Sequence, residues 1–369
     1  MKNNRTFLEK LLDGAEVEWK KLCEVSEIEK GKQLNKALLT ETGEYPVING
    51  GINPSGYWHE YNNEANTIVI SQGGASAGYV NWMTTAFFAG AHAYVVKTNE
   101  TLVQKRYAYH FLKMNQVRFM QNQYGAGIPA LAKSDLENLL IPIPPLSVQT
   151  EIVKILDALT ALTSELTSEL TSELTLRRKQ YEYYREKLLS FDSLEQLNIG
   201  GAKKKLIDVA KIKNGKDWKH LGEGDIPIYG SGGIMGYVDT YSYDKPTVLI
   251  PRKGSITNIF YLEEPFWNVD TIYYTEINTT QILPKYFFHF MKTVDLAKLD
   301  TGSGRPSLTQ AILNEIPIFV PSIEEQHRIV SILDKFEALT NSITEGLPLA
   351  IEQSQKRYEY YRESLLNFE

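Results

Sequence analysis

QYEYYREKLLSF (residues 180–191) returns near the other end of the chain as RYEYYRESLLNF (residues 357–368). Tyr181 becomes Tyr358, 177 residues later, and the same interval relates Ile152 to Ile329 and Asp157 to Asp334. No insertion separates these paired segments. Working outward, GAGIPAL (residues 125–131) matches GSGRPSL (residues 302–308), and TIVISQGG (residues 67–74) matches TVLIPRKG (residues 247–254) at an interval of 180. KKLCEV (residues 20–25) matches KKLIDV (residues 204–209) at 184, so the first half is slightly longer. A period this large marks duplicated domains, because solenoid repeats run at roughly 20–50 residues.

The reading is an α+β chain of two pseudo-symmetric, strand-rich globular domains carried on two long helical arms. Its expected boundaries are 1–15 for an N-terminal segment, 16–146 for the first domain and 147–192 for a central arm. A second domain over 193–322 and a C-terminal arm over 323–369 complete it. YPVING, NTIVIS and HAYVVK are short β-branched or aromatic runs bounded by turn formers. KRYAYHFLKM (residues 105–114) and PKYFFHFMKT (residues 284–293) read as equivalent helices. The proline-rich IPIPPLS (residues 141–147) and IPIFVPS (residues 316–322) are expected to stop regular structure ahead of each arm.

In the first arm Ile152, Ile155, Leu156, Leu159, Leu162, Leu166, Leu170 and Leu174 form one helical stripe. Ile329, Ile332, Leu333, Phe336, Leu339, Ile343, Leu347 and Ile351 match it in the second arm. Burying both stripes together predicts an antiparallel helix pair; a dimer through the same stripes also fits. Gly346 and Pro348 predict a kink or break in the second arm. TSEL occurs three times over residues 163–174. Each unit advances a helix by about 6 Å and turns it by about 400°, shifting its Leu by only about 40°. The run is either a ruler whose repeat number sets domain separation or a plain stretch of good helix.

One cysteine, Cys23, excludes an internal disulfide, and no apolar run reaches the roughly 18 residues of a membrane span. The charged start, MKNNRTFLEKLLDG, does not read as a signal peptide, so a soluble cytoplasmic chain is expected. A net charge of -6 argues against an indiscriminate nucleic-acid binder. Much of the acid lies on the arms, at Glu165, Glu169, Glu173, Glu182 and Glu186, while Lys203 to Lys205 and Arg252 with Lys253 are local basic spots. Charge alone therefore leaves DNA binding open.

Enzyme motifs are not apparent. Gly31-Lys32 and Gly215-Lys216 lack the glycine spacing and following hydroxyl of a phosphate loop, and Asn53-Pro54-Ser55-Gly56 is not an amino-methyltransferase tetrapeptide. The six histidines are scattered singly, and His110 and His289 are repeat equivalents that read as core or surface residues. Loops that follow strands are more informative. Arg252 and Lys253 beside Gly254 put a guanidinium within reach of a guanine edge and a flexible backbone near a phosphate. The first domain has Gln72, Gly73 and Gly74 there, and Gln favours adenine where Arg favours guanine. A turn with solvated side chains is the plainer reading of both. Tyr181, Tyr183 and Tyr184 with Arg185, and Tyr358, Tyr360 and Tyr361 with Arg362, read as a duplicated protein-docking patch ahead of base stacking.

With these residues in place, the chain resembles the specificity subunit of type I restriction and modification systems, in particular the subgroup whose central helix carries tandem tetrapeptide repeats. The resemblance runs over nearly the whole length: the IPIPP and IPIFVPS exits, EIVKILDALTALT and HRIVSILDKFEALT, the TSEL run and both YEYYRE ends. It implies a chain without catalytic residues or cofactors, whose two domains each read half of a split double-stranded DNA target while the helices fix the spacer. It implies two docked modification subunits that methylate adenine with S-adenosylmethionine. Motor and nuclease subunits using ATP and magnesium would join for restriction of foreign DNA. By inference the reading residues are Gln72, Gly73, Gly74, Ser76, Tyr79 and Asn81 in the first domain, followed by Gly125 and Gly127. In the second they are Arg252, Lys253, Gly254, Ser255 and Asn258, followed by Gly302, Gly304 and Arg305. The partner-facing set is Tyr181, Tyr184, Arg185, Tyr358, Tyr361 and Arg362. Unlike side chains at equivalent positions predict an asymmetric target. A self-contained DNA-modifying enzyme and a two-headed scaffold that does not bind DNA are the competing classes.

Overall fold

The computed structural model describes residues 6–121, 129–196, 200–302, 304–341 and 345–368. The chain divides into two compact units, Met1–Glu169 with Ile351–Glu369, and Leu170–Ala350. Each unit takes the start of one arm and the end of another, so the arms are divided between the units and do not form bodies of their own. Both units mix helix and sheet.

Unit 1 contains β1 (Glu18–Lys21), β2 (Ser26–Lys30), β3 (Tyr45–Ile48), β4 (Tyr57–Trp58), β5 (Thr67–Ser71), β6 (Val80–Met83), β7 (Phe88–Ala89), β8 (Ala93–Thr98) and β9 (Leu140–Ile143). An antiparallel sheet of order β2-β8-β5-β6 lies beside a smaller one of order β4-β3-β7, in which β3 and β7 run parallel. Unit 2 repeats the plan with β10 (Gly201–Lys205), β11 (Ala210–Lys213), β12 (Ile226–Gly230), β13 (Gly233–Val238), β14 (Thr247–Pro251), β15 (Phe260–Leu262), β16 (Trp267–Asn268), β17 (Ile272–Ile277) and β18 (Pro317–Pro321). Its sheets have orders β11-β17-β14-β15 and β13-β12-β16.

The central strand of each large sheet is buried on both faces, and its side-chain alternation fixes the layers. Ile68 and Ile70 of β5 share a core with Tyr107, Phe111 and Ile152 from the helices. Val69 between them shares a cluster with Ile48 and Ala89 of the small sheet and with Phe87 beside it. In unit 2, Val248 and Ile250 join Tyr286, Phe287 and Ile329, while Leu249 meets Phe266. Fully burying each such side chain is worth about 1.5–3 kcal/mol, so a one-residue slip would exchange the two cores.

The proline-rich exits end regular structure just before each arm, at residues 144–145 and 322, but their first residues are strands. Residues 140–143 form β9 against β1, and residues 317–321 form β18 against β10. Each pairs with the strand at the far end of its own domain, which clamps the domain shut immediately before the arm begins.

The first arm is a single helix, Leu146–Leu189, of 44 residues. Its beginning packs Ile152 and Leu156 with Leu365 and Leu366 in unit 1, and its end packs Tyr181 and Leu189 with Ile329 and Leu333 in unit 2. Within unit 1 Thr160 meets Tyr358, and within unit 2 Arg178 meets Thr340, so both pairings are antiparallel. The stripe is not buried throughout. Leu162 is 62% exposed and Leu166 43%, whereas Leu170 and Leu174 are half-buried. A Leu repeated every four residues drifts about 40° per turn, so these four cannot all face one partner. The second arm divides into Ile323–Asn341 and Gly346–Leu366. Gly346 has φ +81, outside helical geometry, and Pro348 falls in the first turn of the new helix, where its missing N–H costs nothing.

Candidate nucleic-acid interface

Two loops that the sequence offers separately are one structure in each unit. After β5, Gly73 bridges Ala130, the Gly74 N–H donates to the Pro129 carbonyl at 2.9 Å, and Leu131 N donates to the Gln72 carbonyl at 2.7 Å. After β14, Lys253 bridges Ser307, Gly254 N donates to Pro306 O at 3.1 Å, and Leu308 N donates to Arg252 O at 2.8 Å. A strand tyrosine closes each joint: the Tyr94 hydroxyl donates to Leu131 O, and that of Tyr273 to Leu308 O. Gly74 has φ +84 and Gly254 φ +83, so both turn through the left-handed region that glycine enters freely. Their N–H groups are already engaged. They shape the loop, and neither N–H is free to meet a phosphate.

Those side chains differ in readiness. Lys253, Ser255 and Arg305 are exposed, and Arg252 is half-buried over Tyr273, with Nη1 donating to the Asp270 carbonyl at 3.3 Å. Gln72 occupies the equivalent place beside Tyr94, with its Oε1 buried. Ser76 is half-buried on the loop, while Asn81 stands within β6 opposite Val69 and accepts the Trp82 N–H at 3.0 Å. Asn258 donates through Nδ2 to Ser231 O at 2.9 Å, tying its loop to the β12–β13 turn. Asp300 accepts the N–H groups of Gly302 and Ser307, both at 2.8 Å, and these bonds hold its carboxyl below the usual range. A Cβ on Gly302 would lie 1.9 Å from the Arg305 carbonyl, so only glycine fits there. Gly304 stands next to Arg305 in open space; Gly125 and Gly127 lie outside the described residues.

Further members of the cluster were not singled out from sequence. His92 accepts from Gln72 N and donates its own N–H to Asn49 Oδ1, and Thr271 O accepts from Arg252 N. For Asn49 the signal was available: YPVINGG (residues 45–51) and IPIYGSGG (residues 226–233) are repeat-related strand-to-turn segments.

The buried histidines anchor arms to domains. His110 Nε2 lies 2.8 Å from Asp157 Oδ1, and His289 Nε2 lies 2.9 Å from Asp334 Oδ1. Lys285 adds an ion pair to Asp334, and the other ring nitrogen of His289 is 3.4 Å from the Tyr181 hydroxyl. Glu337 stands close enough to complete a ligand trio with His289 and Asp334, but the lysine already meets Asp334. Gln149 and Gln326 repeat a second anchor. Gln149 accepts from Gln104 N and donates to the Leu102 and Pro144 carbonyls; Gln326 accepts from Leu283 N and donates to those of Gln281 and Pro321.

Burial pushes the His110 imidazole down to about 4 from 6.5. The unfolded ring takes its proton near 6.5 and the folded ring only near 4, so the unfolded state binds more protons between these values and stability falls as pH falls. Urea unfolding is expected to lose about 3 kcal/mol from this ring between pH 6.5 and 4. His289, also depressed by burial, adds to the same sign. His110→Asn should flatten the slope, and an unchanged slope would refute the assignment.

The arm tyrosines split into two sets. Tyr181 is 7% exposed and belongs to the unit 2 core, where burial raises its hydroxyl to about 12, so it presents no open docking surface. Tyr358 is half-buried and accepts the Thr160 hydroxyl at 3.0 Å. Tyr183, Tyr184, Tyr360 and Tyr361 are exposed, Tyr184 stacking on Phe336. Arg185 and Arg362 lie over the rings of Tyr181 and Tyr358. Among the described residues no helix is long and apolar enough to cross a membrane.

Comparison with known proteins adds family context. The family described as type I restriction modification DNA specificity domain matches residues 15–176 and again 199–353. A putative type I restriction enzyme specificity subunit of Haemophilus influenzae is 45% identical over the full length of both chains. The EcoR124I/EcoR124II specificity subunit of Escherichia coli is 33% identical, covering 98% of this chain and 97% of that one. Among solved structures, the type I restriction-modification S subunit from M. genitalium superposes with a TM-score of 0.56 at 25% identity, covering 97% of this chain and 98% of that one. The HsdS subunit from Thermoanaerobacter tengcongensis shares the fold, with a TM-score of 0.53 at 14% identity and 95% of each chain covered.

Proposed function

Since this chain belongs to the type I restriction-modification DNA specificity family and is a non-catalytic specificity subunit, we propose that each of its units reads one half of a split, asymmetric DNA target. As a member of that family it works in a complex with other restriction-modification subunits and DNA. A self-contained enzyme and a scaffold that ignores DNA find no support among its relatives. The observation that carries the reading is the duplicated loop joint, one backbone design bearing unlike side chains, Gln72 in one unit and Arg252 in the other. A shared frame with exchanged donors is what two readers of different sequences need.

On this reading the exposed pairs Tyr183–Tyr184 and Tyr360–Tyr361 each receive one modification subunit. Those subunits bind S-adenosylmethionine and methylate adenine, and restriction subunits supply ATP- and magnesium-dependent cleavage, all in the cytoplasm. The partners also contribute phosphate contacts, so a reader with net charge -6 need not be basic. Single-molecule methylome sequencing of a methylation-free host, with the modification subunit and with or without this chain, tests the proposal. Adenine methylation at a split asymmetric motif, dependent on the chain, is expected; its absence from folded, associated subunits would refute it.

Arg252→Ala is expected to weaken discrimination by about 1–3 kcal/mol, roughly 5- to 150-fold, at a guanine in one half-target. The other half should be untouched. Competition binding with base-substituted duplexes checks this, and unchanged discrimination would remove Arg252 from the reading set.

A further inference from the structure

The reading loop of unit 1 is braced by a half-buried cation that the proposed reading does not use. Lys113, on the helix Lys105–Met114, donates from Nζ to the Val80 carbonyl at 2.8 Å and to Gln116 Oε1 at 2.8 Å. The same ammonium sits 4.1 Å from the centre of the Tyr79 ring. Gln116 Oε1 also accepts the Val80 N–H at 3.0 Å, so one amide oxygen and one ammonium together take both polar groups of Val80. All these partners are neutral. Burial, with repulsion from Arg362 on the C-terminal arm, pushes the lysine down to about 8. Removing a cation from water costs free energy unless something is gained from its hydrogen bonds. What is gained here is the position of residues 79 and 80, where the loop rejoins β6.

The rest of the loop is built to transmit that position. Ser71 N donates to the Tyr79 carbonyl at 3.0 Å, and Gly78 N donates to Ser71 O at 2.8 Å. Gly78 has φ +88 and packs so closely on Phe119 that a Cβ would lie 2.8 Å from its backbone. Of the loop residues 72–79, Ala75 at the tip is the one that is exposed. Among the described residues unit 2 has no such brace. The repeat counterpart of Lys113, Lys292, lies over the Phe288 ring instead, and its loop is held by the Asn258 amide on Ser231.

We propose that Lys113 and Gln116 are positioning residues for DNA reading by unit 1, fixing the Tyr79–Val80 end of the loop so that Ser76 and its neighbours meet the bases in one register. The inference rests on the reading that this loop faces DNA. Because the brace is found, among the described residues, in unit 1 and not in unit 2, its loss blurs one half of the target and leaves the other intact.

The test is methylome sequencing of a methylation-free host carrying the variant chain and its modification subunit. Lys113→Met and Gln116→Leu are expected to lower base discrimination about tenfold at one or two positions of a single half, with the other half and the spacer unchanged. Gln116→Glu keeps an oxygen for both Val80 N and Lys113 and is expected to retain the parental motif. Two results overturn the inference: parental base choice in both Lys113→Met and Gln116→Leu, or a uniform fall in methylation with base choice intact, the mark of lost stability alone. Ser76→Arg, at the loop itself, separates the inference from its premise. If Ser76→Arg alters one half while the brace variants do not, the positioning role falls; if Ser76→Arg also leaves the motif unaltered, the reading of the loop falls with it.

Discussion

Deleting one TSEL unit is expected to abolish methylation at the parental target and to create methylation at the same two half-targets with a spacer changed by one or two base pairs. The run at residues 163–174 lies inside one uninterrupted helix, and the division between the compact units falls within it, between Glu169 and Leu170. Removing four residues shortens the helix by about 6 Å and turns its C-terminal portion by about 40° relative to the former setting. DNA rises about 3.4 Å per base-pair step and turns once in roughly 10–10.5 steps, so both changes correspond to a shift of one or two base pairs. Removing the first TSEL unit costs little packing because its Leu166 is 43% exposed and contributes little core. Methylome sequencing reads spacer and half-targets together, and an unaltered spacer would defeat the ruler.

Gln326→Leu should destabilise unit 2 by about 3 kcal/mol or more. The amide is fully buried and serves one N–H and two carbonyls, from Leu283, Gln281 and Pro321. Leucine fills similar space but leaves these groups without a partner, and each buried unsatisfied group costs about 1–3 kcal/mol. Gln149→Leu should act likewise in unit 1, where the amide holds Gln104, Leu102 and Pro144. Urea unfolding followed by circular dichroism measures the loss, and a change below about 1 kcal/mol would show that water replaces the amide. The damage falls where each arm helix leaves its domain.

Much of this molecule is legible in the sequence because duplication shows every signal twice. The strands at Thr67–Ser71 and Thr247–Pro251, the helices with His110 and His289, and the helical arms are all set by local periodicity. What escaped depends on partners distant in the chain. Residues 140–143 look like a proline-rich exit until they are seen against Glu18–Lys21, more than a hundred residues away. Gly254 looks like an open approach to a phosphate until Pro306 takes its N–H group, as Pro129 takes that of Gly74. The tyrosine clusters read as one patch, yet a helix advances about 100° per residue, which separates Tyr183 from the buried Tyr181. Gln149 and Gln326 were visible as a repeated pair, but their amides acquire meaning only from the backbone groups they meet.

The sharing of each arm between units also sets an order of assembly on the ribosome. Leu365, Leu366 and Phe368 belong to the same core as Leu8, Leu22 and Ile152, so unit 1 is made from residues near both ends of the sequence. Unit 2 draws on Leu170–Ala350 alone. At about 5–20 residues per second, the domain synthesised first waits many seconds after its own sheets have emerged, and receives its closing helix only after the second unit is entirely made. The first-born domain is thus the last to be finished, and a chain ending at Ala350 would contain all of unit 2 yet lack the closing helix of unit 1.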